Sequence, residues 1–280
     1  MLIKSEWHTH SEYSYDASNL LEDIGKTAQE QGLLAVGITD HLNYNDKSFI
    51  GNLKDSAKGV KEAQKKYPLL VLGVELTPIA KPLFDYIAKN GTRDGYEAPL
   101  ENFSDKIELG LSKEELISLG VRYAVGGAHW RVDSPISQLN KDMLSTIKEW
   151  FRLQMFLSQD ERVTVLAHPW YNGAGDWYQD FSVIPKSMND EIFSALKQNG
   201  KYMECNSYFF NTDRTGEKFR RQYAEFLRSA FEYGVNITYG SDSHKCYGTD
   251  SASRRLTTEK YLREVGFKDG DISQVTKFWG

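Results

Sequence analysis

The chain has 280 residues, 40% hydrophobic and 13% aromatic, enough to bury a sizeable core without disulfide staples. A net charge of −5 offers no attraction for phosphate backbones, so nucleic acid is not expected as a partner, and two cysteines are too few for a secreted disulfide framework. The opening MLIKSEWHTH lacks a signal-peptide pattern and no run reaches the roughly 18 apolar residues of a membrane span, so a cytoplasmic, non-membrane globular protein is expected.

Short apolar or β-branched runs ending in polar clusters recur along the chain. They predict strands at Leu2–Trp7, Ala35–Thr39, Leu69–Val74, Tyr123–Gly127, Val163–Ala167, Tyr202–Cys205 and Asn236–Gly240. Helical patterns lie between most of them. Asn19–Gln31 follows Ser18, a good cap, and stops before Gly32. Lys54–Tyr67, Lys141–Leu157, Asn189–Gln198 and Glu217–Tyr233 are amphipathic in the same way. Strand–helix alternation of this kind predicts a parallel α/β fold, and the pattern alone does not say whether the sheet closes. No linker or repeat divides residues 1–280, so one domain is expected. The long, largely polar stretch at about 77–122 is a candidate lid.

All six histidines fall at or just beyond predicted strand ends, in the motifs WHTHS, TDHL, GAHW, AHPW and GSDSH. They are His8, His10, His41, His129, His168 and His244; Glu75 ends the third strand in the same manner. Functional groups gather at the C-terminal ends of parallel strands. His8 and His10 are two apart, so an extended backbone sends both rings to one face. With Asp242, two residues before His244, the set is larger than one catalytic zinc requires. Two or three divalent cations are therefore expected, with zinc, manganese or iron suited to imidazole and carboxylate donors.

These motifs, from WHTHSEYSYDA to GSDSH, closely resemble the PHP (polymerase and histidinol phosphatase) family, in particular its histidinol-phosphatase-like branch. The resemblance implies a distorted seven-stranded, TIM-like (β/α)7 barrel with metals at the strand C-termini. It also implies that His8, His10 and Asp242 hold one ion and His129 and His168 a second, with Glu75 bridging. Asp16, where some relatives have histidine, would join His41 and His244 on a third. YMECNSYFF resembles that branch's Glu-x-Asn motif, which puts Glu204 and Asn206 near the site.

The reaction this implies is hydrolysis of a small phosphorylated metabolite, histidinol phosphate being one candidate, by a hydroxide held between two cations. Glu75 and Asp242 are the catalytic candidates, and the leaving alkoxide would take its proton from either a metal-bound water or Asp242. Arg131, Lys245, Asn206 and Trp170 are candidate substrate contacts, and Trp130 and Tyr171 could complete an aromatic wall. Asp40 is a candidate for orienting a ligand imidazole. The competing readings are an amidohydrolase-type C–N or lactone hydrolase, a nuclease and a non-catalytic metal-binding module.

Overall fold

The computed structural model describes residues 1–42, 49–80, 106–129, 143–171 and 179–279. Its strands are β1 (Glu6–Thr9), β2 (Val36–Ile38), β3 (His41–Leu42), β4 (Leu70–Leu72), β5 (Val74–Leu76), β6 (Ile79–Ala80), β7 (Ile107–Glu108), β8 (Ala124–Gly126), β9 (Val165–Leu166), β10 (Tyr202–Asn206) and β11 (Asn236–Gly240). Two parallel sheets run β1–β2–β4 and β11–β10–β9–β8–β5–β3. Two tracks run from the first sheet into the second, β2 into β3 and β4 into β5, so the two sheets share tracks. A parallel bridge from Thr9 to Ser243 joins the outer strands, with His10 N donating to Ser243 O and Asp242 N to His8 O. Seven strand tracks thus close into a distorted TIM-like barrel.

Side-chain alternation separates the two faces of that wall. Met203 and Cys205, Ile237 and Tyr239, and Val74 and Leu76 join the large apolar cluster under the helices. A smaller cluster of Trp7, Tyr123, Val125, Val165, Ala167, Tyr202 and Val275 fills the interior. Tyr123 spans that interior: its hydroxyl donates to Trp7 O at 2.8 Å and its ring meets Trp7 edge-on at 5.6 Å. Glycine at positions 37 and 73 makes room for it. A Cβ at Gly37 would lie 1.7 Å from the Tyr123 hydroxyl, and one at Gly73 2.8 Å from the ring.

The seven predicted strands are found, most within two residues of the expected limits. The first is the exception. Leu2 and Ile3 are buried, but as packing residues ahead of the strand, and Ile3 N donates to Glu259. The strand itself starts at Glu6 and carries a register shift before Thr9, so that Trp7 and His8 both reach interior partners.

Helix α1 (Leu21–Glu30) turns Leu21, Ile24 and Ala28 inward and ends at Gly32, whose φ of 67° only glycine adopts freely. Its expected cap, Ser18, is not used. Glu12 accepts from Leu21 N at 2.9 Å instead, and Asn19 ties His10 O and Ser243 O together. The remaining described helices are α2 (Phe49–Ala63), α3 (Lys113–Ser118), α4 (Met143–Gln159), α5 (Lys186–Gln198), α6 (Tyr208–Asn211), α7 (Glu217–Tyr233) and α8 (Tyr247–Glu264). Helix α3 has a capping box between Ser112 and Glu115, and neither α3 nor α8 was anticipated. The inward side of α8 includes Ser251, Arg255, Thr258 and Glu259, which blurs the apolar period.

The ends of the 77–122 stretch are not a plain loop. Ile79 and Ala80 pair antiparallel with Glu108 and Ile107, and Arg162 pins Glu108 at 2.8 Å. The middle of the candidate lid lies outside the described residues. No described helix is long and apolar enough to cross a membrane.

Gly37→Ala forces its new methyl into the Tyr123 hydroxyl and should cost on the order of 1–3 kcal/mol. Adding Tyr123→Phe removes the struck atom, so the double variant should lose less than the sum of the two single losses. Urea midpoints at constant m-value measure both; strict additivity would contradict the interior packing described here.

Candidate metal centre

The rim of the barrel where the strands end collects the predicted donors. His8 and His10 sit at the end of β1, His41 opens β3, and Glu75 is central in β5. His129 and His168 follow β8 and β9, while Asp242 and His244 follow β11. Each strand runs in the same direction, so each delivers its last polar side chain to the same end.

Glu75 stands at the centre with no exposed surface. Its Oε2 lies 3.2 Å from His8 Nε2, 3.3 Å from His10 Nε2 and 2.9 Å from His41 Nδ1. Its Oε1 lies 3.0 Å from His129 Nε2 and 2.9 Å from His168 Nε2. One carboxylate therefore faces two separate groups of imidazoles. Asp242 Oδ1 completes the first group, 3.5 Å from His8 Nε2 and 3.2 Å from His10 Nε2. On the far side of His10, His41 Nε2 and His244 Nε2 approach to 3.1 Å, with Asp16 Oδ2 3.6 and 3.4 Å from them.

This donor set fits divalent cations. His8 Nε2, His10 Nε2, Glu75 Oε2 and Asp242 Oδ1 lie within 4.8 Å of one another. The two histidines are 3.2 Å apart, and each is 3.2–3.5 Å from both acids. A tetrahedral zinc with bonds of about 2.0–2.1 Å has ligand–ligand edges of about 3.3 Å. Two further groups share members with this one: His41, Glu75 and His129, and His10, His41 and His244. Glu75 Oε2 and His41 Nδ1 are close yet neither has a hydrogen-bond partner, and His168 Nδ1 is likewise buried without one. Buried polar atoms left in that state are costly unless something binds them.

The outward-facing ring nitrogens are held by the protein. His8 Nδ1 meets Glu204 at 2.8 Å, His10 Nδ1 meets Ser14 Oγ at 3.3 Å, His129 Nδ1 meets Thr77 Oγ1 at 2.9 Å, and His244 Nδ1 meets Asp242 O at 3.0 Å. Such contacts aim Nε2 inward. Thr77 and Ser14 were not anticipated; Thr77 follows Glu75 by two, the spacing of one strand face.

Electrostatics bind the set together. Burial pushes the Glu75 carboxyl up, but His129, His8 and His41 pull it well below the usual range. Burial likewise opposes, and His8, His10 and His244 overcome it, in holding Asp242 well below its ordinary value. Burial disfavours charge on His8, yet Glu204, Glu75 and Asp242 raise it well above the usual imidazole range. His41 is raised to about 10 against burial by Glu75 and Asp16. Burial lowers His10, with His244 and His41 adding to it, and lowers His129 to about 4 despite Glu75. Without a cation, protons on His8 and His41 balance the buried acids. A divalent cation competes for the same nitrogens.

The other expected residues divide. His41 presents Nε2 to His244 and Asp16 as anticipated, but its Nδ1 also faces Glu75, so it belongs to two groups rather than one. Asp40 does not orient an imidazole: its oxygens accept from Ser11 N, Ser11 Oγ and Ser56 Oγ, at 2.6–2.8 Å, fixing the loop after His10. Asn206 is fully buried: its Nδ2 donates to Glu204 and Asp242 and its Oδ1 accepts from Tyr208 N, so both polar atoms are engaged within the protein rather than turned to a substrate. Trp170 is only 1% exposed and donates to Asn189, so it packs instead of contacting a ligand. The Tyr171 ring meets His168 at 5.2 Å and Tyr208 at 5.6 Å. Lys245 is exposed next to His244. Arg131 and Trp130 lie outside the described residues.

A sequence profile of the PHP domain matches residues 6–208, most of the chain. The chain belongs to the PHP family. A protein of Acetivibrio thermocellus described as a probable phosphatase is 25% identical to this PHP chain over 262 residues, 92% of this chain and 85% of its own. The histidinol phosphate phosphatase of Lactococcus lactis, solved with zinc, L-histidinol and phosphate, is similar in structure. Its TM-score is 0.64 over 96% of this chain and 95% of its own, at 18% identity, a likeness of fold. By family this PHP protein is a metal-dependent phosphoesterase.

Glu75→Gln should strip cations from both of the groups that share it, whereas His244→Ala should leave the four-donor group loaded. Metal analysis of the folded variants measures this, and wild-type content in Glu75→Gln would contradict the arrangement. Because His8 and His41 carry protons that a cation displaces, zinc binding should release protons near pH 7. Apparent affinity should rise with pH until His41 loses its proton at about 10. Titration in a weakly buffered indicator dye reads the release; binding without it would contradict the charge balance.

Proposed function

We propose that this protein hydrolyses a small-molecule phosphomonoester at the rim cluster, with two to three divalent cations (zinc, manganese or iron) held by His8, His10, Asp16, His41, Glu75, His129, His168, Asp242 and His244. The observation that carries the reading is Glu75: one fully buried carboxylate whose two oxygens face two different sets of imidazole nitrogens within 3.3 Å. That is the geometry needed to hold two cations close together. Bound cations at such a site lower the pKa of water and neutralise charge on phosphate oxygens.

The chain's own residues do the rest. Glu75 fixes the spacing of the two sets and has no exposed surface with which to touch substrate, so its part in catalysis is through that spacing. Asp242 is 18% exposed, and Asn206 Nδ2 holds its Oδ2 at 3.3 Å. Its carboxylate therefore has a fixed plane at the open side of the cluster; being ionised, it takes a proton from the attacking water at Oδ2 and passes that proton to the leaving alkoxide. Lys245 contributes a positive charge toward the phosphate, and the Tyr171 ring forms one wall beside His168. The Lactococcus lactis protein, with L-histidinol and phosphate bound, makes a phosphorylated amino alcohol the first substrate to try. An amidohydrolase-type reading competes less well because Glu75 already stands where a carboxylated lysine would bridge.

The test is phosphate release from a metabolite panel that includes histidinol phosphate, run beside an amide and lactone panel, with manganese, zinc and iron. Verified metal removal should reduce phosphate release on the order of 10³-fold, and metal return should restore it. Full activity without metal, or turnover confined to amides and lactones, would end this reading.

A further inference from the structure

Glu204 is a buried carboxylate beside the cluster to which the reaction above gives no task. It lies in β10 with 1% of its surface exposed, on the inward side with Tyr202 and Asn206. Its partners come from three strand tracks. Oε1 meets His8 Nδ1 at 2.8 Å; Oε2 accepts from His168 N and from Asn206 Nδ2, the latter at 3.2 Å. Space for it is made by Gly240 on the neighbouring strand, where a Cβ would lie 1.9 Å from Glu204 Oε1.

We infer that Glu204 is a positioning residue that sets the tautomer of His8 and the place of His168, bringing both donor groups of Glu75 into register. The inference rests on the reading that the cluster holds cations. Its chemical basis is a count of donors. An imidazole N–H, a backbone N–H and a side-chain amide all point at Glu204, and only a carboxylate offers two oxygens that are acceptors alone. Accepting from His8 Nδ1 leaves the Nε2 lone pair facing His10, Glu75 and Asp242. Accepting from His168 N pins a residue held at φ 26°, a backbone conformation that histidine rarely adopts, from which Nε2 reaches Glu75 Oε1. The other outward contacts, at His10, His129 and His244, use hydroxyls or a carbonyl, so His8 has the most basic support of the four.

Glutamine at this position keeps the shape but has a single oxygen. Its amide N–H₂ must then oppose either His8 Nδ1–H or His168 N–H. If it turns to His8, the imidazole takes the Nε2–H form and cannot ligate.

The experiment compares Glu204→Gln, Gly240→Ala and His8→Ala with the wild-type full chain. Fold is checked by circular dichroism, affinity by chelator competition with zinc, and geometry by the visible absorption of cobalt(II)-loaded protein. Glu204→Gln should bind about 10–100-fold more weakly and shift the cobalt spectrum. Gly240→Ala should do the same while keeping the carboxylate, because its methyl occupies the place of Oε1 and also crowds His8 Cβ at 2.6 Å, disturbing the Glu204–His8 pair from its other side. A purely structural role would lower thermal stability and leave the cobalt spectrum of the folded protein unchanged. A wild-type spectrum and affinity in either folded variant overturns the inference, provided His8→Ala loses an ion. If His8→Ala also keeps every ion, the cation reading itself falls.

Discussion

A fully buried carboxylate inside a protein is tolerable only when its charge is met at close range, and Glu75 is such a group. The five nearest imidazole nitrogens come from His8, His10, His41, His129 and His168, carried by four further strand tracks. Removing any one takes a close nitrogen away from the carboxylate. The site and the barrel rim are therefore one object: the strands must end together for Glu75 to be held, and Glu75 gives their ends a common centre.

The interior below that centre is built to the same constraint. Tyr123 crosses from one wall to Trp7 in another, which is possible because the strands between them present Gly37 and Gly73 inward. Large side chains fill the space at one level and absent side chains open it at the next. At the rim, Gly240 makes the same concession to Glu204, and Gly127 to Glu75 and His168, where a Cβ would approach either side chain to 2.5–2.6 Å.

Backbone strain gathers at this end too. Among the described residues, His168, Trp170, Asp242 and Cys246 are the non-glycine positions with positive φ, and all follow β9 or β11. Each such residue costs of order 1–3 kcal/mol and persists only where its surroundings over-determine it. Glu204 grips the amide of His168, and Asp242 N is tied to His8 O. Strain and metal donors coincide because a strand that continued straight would carry its donor past the shared centre.

Much of this was legible along the chain. Histidines used for packing or at the surface would scatter over helices and loops, so six histidines and Glu75, all at predicted strand ends, name both the donor types and the end of the barrel they occupy. The period-two rule put His8 and His10 on one face. What the chain order could not carry was partnership. Asp40 beside His41 and Glu204 two residues before Asn206 are equivalent as local patterns, yet one fastens a loop through Ser11 and Ser56 while the other supports His8 and His168. Asn206 and Trp170 are polar and aromatic residues near the site whose neighbours turn them inward. Helix α8 was hidden because its buried side is partly polar, an arrangement only its packing against Glu6 and Ile3 explains. By itself the sequence determined chemistry and strand ends, since these depend on residue type and local period. Only the tertiary structure decided which nitrogen faces which oxygen, and how His41 serves two groups, because those follow from barrel closure between residues as distant as Thr9 and Ser243.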